Sequence, residues 1–173
     1  MIHAYFLGKW VVHGSTTVAT KAAVGIPLFN DADHRNTIIN LPGDLAESTL
    51  LRQDYKVDKT VMTITPLVNA YIRVALHGAR DGDLNAILKA SGWELLPGWY
   101  VDWSETKANQ YSKKTLDKIW SKRVAAKQTL TFTSIKDDMT FAIFASESTN
   151  IRFIITCFKK QTSPYVYVYV YIT

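Results

Sequence analysis

The chain predicts an α+β fold: an antiparallel β-sheet, as a sandwich or a partly closed barrel, with a four-strand carboxyl-terminal meander and one long basic amphipathic helix. Three observations carry that expectation. Four short β-rich runs close the sequence, and the connections between them have hairpin length. Strand-like and helix-like stretches are segregated rather than alternating, which argues against a parallel α/β fold. Residues 104–128 combine a capping residue, an apolar stripe and an opposed row of lysines at helical spacing. With 173 residues, 47% apolar and 20% charged, residues 1–173 read as one globular domain. Such a chain buries a core without disulfide or metal staples.

Taken in order, residues 4–13 and 16–24 are rich in Val, Thr, Tyr, Phe and Trp and read as two strands. Gly25, Pro27 and the Asn/Asp cluster of 30–36 mark a loop. Residues 36–44 hold a short apolar run stopped by Pro42-Gly43, after which Asp44 and Ser48 suit the caps of helical turns. Residues 59–67 and 68–77 are strand candidates split by Pro66, which suits an edge or a bend. The loop 77–83 leads into a short helix over 83–92, with Gly92 as its terminator. Residues 93–103 carry three of the five tryptophans and a turn at Pro97-Gly98. Such a cluster reads as core before it reads as an aromatic pocket. Ser104 caps the expected helix and Glu105 favours its positive end. The closing β runs are 129–134, 139–146, 151–160 and 165–173.

Two surfaces stand out. In 165–173, "YVYVYVYIT", alternation puts Tyr165, Tyr167, Tyr169 and Tyr171 on one side of a strand and Val166, Val168, Val170 and Ile172 on the other. The valine side suits a core. Four tyrosines along about 20 Å of strand are more aromatic surface than a monomer leaves bare, so they suit a contact platform. Neither charge nor proline interrupts the run, so as a sheet edge it invites pairing with another copy. The second surface is the basic helix. Its seven cations (Lys107, Lys113, Lys114, Lys118, Lys122, Arg123, Lys127) against two anions (Glu105, Asp117) give 7 − 2 = +5, the net charge of the whole chain. On a helix, Lys107, Lys114, Lys118 and Lys122 fall within a stripe about 80° wide. That stripe suits a solvated face, nucleic-acid phosphates or an acidic partner.

Chemistry-capable residues gather in two loops, Asp33 and His34 in one, His77 and Asp81 in the other. If the loops meet, imidazole and carboxylate suit a divalent metal or a general base. Neither loop has the spacing of a known catalytic motif, and Asp there equally serves to cap turns. The single cysteine, Cys157, lies in a strand-like run and reads as a small buried apolar residue. No cofactor is implied. The amino terminus lacks the basic region of a signal peptide, and no stretch reaches the ~18 uninterrupted apolar residues of a membrane span. The expectation is therefore a cytoplasmic protein. "GKW" at 8–10 resembles the Gly-x-Trp opening of lipocalins. The expected order, with the helix before the last four strands, departs from that family, and none is assigned.

These readings lean away from an enzyme. They favour an interaction or structural protein that binds a macromolecule or self-assembles, the profile of small virion or tail components and of inhibitor or immunity proteins. The alternatives are a nucleic-acid-binding protein using the 104–128 helix and a small metal-dependent hydrolase using His34 and His77.

Overall fold

The computed structural model describes residues 4–7, 9–13, 18–30, 35–52, 61–76, 82–107, 110–133, 141–148, 153–159 and 166–172. Their architecture follows from runs of residues that are buried on both sides of the chain. In β13 (Phe141–Glu147), the consecutive residues Ala142, Ile143, Phe144 and Ala145 are all buried. Successive strand side chains point to opposite faces, so such a run requires cover above and below.

It finds both. β13 lies inside a six-stranded antiparallel sheet of order β3 (Val18–Lys21), β5 (Thr49–Arg52), β13, β7 (Ala70–Leu76), β11 (Lys118–Val124) and β8 (Glu94–Leu96). On one face the cross-strand row Leu51–Ile143–Val74–Trp120 packs against a four-stranded sheet. That sheet has the order β1 (Ala4–Leu7), β2 (Trp10–His13), β6 (Val61–Pro66), β12 (Leu130–Thr133). It contributes Trp10, Val12, Ile64 and Phe132. On the opposite face, Leu50, Phe144, Ala75 and Ile119 meet a three-stranded sheet of order β10 (Gln110–Leu116), β9 (Val101–Lys107), β4 (Arg35–Asn40). Ile38, Val101, Trp103 and Leu116 supply its apolar side, and Phe29 meets Trp103 edge-to-face at 5.4 Å. The described body is thus three β layers with two cores.

The one α-helix among the described residues, α1 (Gly82–Ala90), stands where the sequence predicts a short helix. Leu84 and Leu88 join the first core, and the Trp120 indole N–H donates to Asn85 Oδ1 at 2.9 Å, pinning helix to sheet. Gly92 ends the helix at φ +75°, with N–H bonds from Gly92 to the Lys89 carbonyl and from Trp93 to the Leu88 carbonyl. That pair of bonds satisfies two carbonyls the helix end leaves open.

Two expectations are overturned. The 104–128 segment is not a helix: it forms most of β9, then β10 and β11. Lys114, Lys118 and Lys122 recur every four residues and so imitate a helical face. Asp117 divides them, however, donating its N–H to the Leu76 carbonyl between two strands of different sheets. Ile119, Trp120 and Ser121 are buried in succession, which erases the alternation that would have announced a strand. The four-strand meander is also absent. β12 pairs with β6, β13 lies between β5 and β7, and of these four strands only β14 (Phe153–Lys159) and β15 (Val166–Ile172) pair with each other. An α+β sandwich with a long basic helix therefore gives way to layered antiparallel sheets. The caps expected at Asp44 and Ser48 resolve into a single 3-10 turn, Gly43–Leu45, with the Ser48 hydroxyl donating to the Leu45 carbonyl at 2.6 Å.

Candidate interaction surfaces

β14 and β15 form a two-stranded ribbon in unbroken register, from Phe153 opposite Ile172 to Lys159 opposite Val166. Tyr167, Tyr169 and Tyr171 stand opposite Phe158, Thr156 and Ile154, and Val168 stands opposite Cys157. Tyr165 lies outside the described residues. Among the described residues each of these strands has the other as its only sheet neighbour. Among the described residues each therefore keeps one edge of backbone N–H and C=O groups without a ladder partner.

The four lysines of the expected stripe are dispersed over β9, β10 and β11. Lys107 ends β9; the Lys114 ammonium lies 5.9 Å from the Trp103 ring centroid; Lys118 and Lys122 share β11. Lys122 Nζ donates to the Ser91 carbonyl at 2.6 Å, closing the carboxyl-terminal end of α1, where a cation complements the helix dipole. Next to Lys114, Lys113 pairs with the buried carboxylate of Asp102 at 2.9 Å, which also accepts from the Thr115 hydroxyl at 2.8 Å.

His34, His77, Asp33 and Asp81 lie outside the described residues. Among the described residues, no group of three or more His, Cys, Asp or Glu is placed to hold a metal ion. No helix among them is long and apolar enough to cross a membrane.

Two features escape sequence reasoning. The first is Arg73, at the centre of β7, in the row Leu50–Phe144–Arg73–Ser121–Glu94 on the side of the second core. Its guanidinium lies 5.2 Å from the Tyr71 ring centroid and 5.9 Å from that of Trp99, and Nη1 donates to Ser146 Oγ at 2.8 Å. Nε is buried without a partner among the described residues. Burial lowers its pKa, while the Asp44 carboxylate and Tyr71 pull the other way. A lone charge in an otherwise apolar "AYIRVAL" is the sequence signal for this site. Beside it Tyr71, Glu94, Ser121 and Arg123 line an open cleft of about 350 Å³.

The second is a groove of about 270 Å³ between α1 and β12, lined by Leu84, Ile87 and Leu88 on one side and by residues 129–132 on the other. Trp93 and Phe132 also line it, their rings edge-to-face at 5.7 Å, with Lys122 close by. Nothing local in the sequence signals it, because it arises where two distant segments meet. No protein-family model, curated protein or solved structure matches the chain.

Proposed function

We propose that the chain is a non-enzymatic interaction protein that self-assembles through the β14–β15 ribbon. The observation that carries this reading is the ribbon's pairing: two seven-residue strands whose only sheet neighbours among the described residues are each other. An isolated two-stranded hairpin is at best marginally stable in water and gains from a third strand. Long edge strands are normally defended by charge, proline or bulges. Residues 166–172 contain neither charge nor proline, and the register runs without a bulge. The tyrosines at 167, 169 and 171 add the residue type most enriched where proteins meet. The nucleic-acid reading rested on a helix that the fold does not contain.

The test is mass against concentration, by size-exclusion chromatography with light scattering. The wild-type chain should form oligomers, and the double substitution Tyr167→Thr/Tyr169→Thr should reduce them to monomers while circular dichroism keeps the β signal, since Thr retains β propensity. A wild-type chain that stays monomeric at high concentration ends the proposal.

A further inference from the structure

The groove beside β12 has a property that fixes what kind of ligand it suits. Three consecutive residues of β12, Leu130, Thr131 and Phe132, all line it, with Thr129 just before them. Along a strand, successive side chains face opposite ways, so a cavity lying on one face meets only every second residue. A cavity that meets them all runs along the edge of the strand. β12 is the terminal strand of its sheet, paired with β6 on one side and with nothing on the other among the described residues. The groove is therefore an open hydrogen-bonding edge faced by the apolar side of a helix, with Ile87 left 45% exposed on α1. An extended strand laid there would complete the ladder through its backbone and place alternate side chains against Leu84, Ile87 and Leu88.

We infer that the occupant is β15 of a second copy of this chain, which extends the four-stranded sheet to the order β1-β2-β6-β12 followed by the incoming ribbon. This rests on the self-assembly reading and names its receptor. The match is chemical. β15 offers seven residues of uncharged, strictly alternating strand with one edge open among the described residues, and the groove offers an open edge beside the apolar side chains of Leu84, Ile87 and Leu88. Donor and acceptor are different surfaces of the chain, so the contact is heterologous. Repeated from copy to copy it builds a ring where the rotation closes and an open chain where it does not.

That asymmetry supplies the experiment. Ile87→Lys/Thr131→Lys places charges in the groove at two positions whose side chains are exposed, so the fold is retained. This groove variant should lose the oligomer and run as a monomer, as should the ribbon variant Tyr167→Thr/Tyr169→Thr. Mixed in equal amounts, the two should recover the mass of two chains and no more. One partner keeps a working groove, the other keeps a working ribbon, and each lacks the means to bind a third. If the groove variant still assembles like the wild-type chain, or the mixture contains only monomers, the groove is not the receptor. The ribbon reading survives the first of these results, whereas a monomeric wild-type chain overturns both.

Discussion

Ile143 and Phe144 are neighbours in sequence, both fully buried, and belong to different cores. Three stacked layers therefore demand that both be sensitive and that they act independently. Phe144→Ala removes a ring packed between the central and three-stranded sheets, and such truncations cost about 3–5 kcal/mol. At about 2–4 °C per kcal/mol for a chain of this size, the melting temperature should fall by roughly 6–20 °C. Ile143→Val deletes one methylene on the opposite face and should cost about 0.5–1.5 kcal/mol. The two side chains contact different partners, so the double variant should equal the sum to within about 0.5 kcal/mol despite their adjacency. Urea denaturation with a shared m-value measures all three. If either substitution falls within about ±0.5 kcal/mol, the usual range for a surface site, that face of β13 is not covered and the layered arrangement is wrong.

Arg73 should distinguish shape from charge: Arg73→Lys, which loses the planar stack on Tyr71 and Trp99, should destabilise by about 1–2 kcal/mol. Arg73→Met, which removes a partly desolvated charge and keeps the bulk, should cost less, and a larger loss for Met than for Lys in chemical denaturation would refute this. An added Cβ meets nothing within 4 Å at either Gly92 or Gly43, but only Gly92 has positive φ. Gly92→Ala should therefore cost about 1–2 kcal/mol from backbone strain alone, while Gly43→Ala should be neutral or gain about 0.4–1 kcal/mol. Equal melting temperatures for the two would show that the left-handed conformation is not required.

Local signals in the sequence suffice where one element settles its own structure. The turn at Pro97-Gly98, the short helix ended by Gly92, and the closing strands each follow from residues within a few positions of one another. Pairing could not be read in that way. Pro97-Gly98 separates β8 from β9, yet the first joins the central sheet and the second the three-stranded sheet. The sharpest failure, at 104–128, has a general cause. A strand covered on both faces loses period-two alternation, and lysines four apart on two successive strands then supply a false helical period. A sequence signal for the layering does exist: "FAIFA" in β13 holds five apolar residues without alternation, as a central strand buried on two sides requires.

Core substitutions and ribbon substitutions should be separable by their effects on melting temperature and on mass. The two cores draw on the central sheet, its two covering layers and α1. Substitutions at Ile143 or Phe144 should lower the melting temperature and leave the oligomer unchanged at temperatures well below it. Substitutions at Tyr167 and Tyr169 should do the reverse, apart from the stability that assembly itself lends by mass action. That linked part has its own signature, a melting temperature that rises with protein concentration in the wild-type chain and stays flat in both the ribbon and the groove variants. A concentration-independent melt in an oligomeric wild-type chain would mean that the ribbon does not couple to folding of the layered body. Strand addition at β12 would then lose its physical basis, because a strand added there extends a sheet whose Trp10, Val12, Ile64 and Phe132 build the first core.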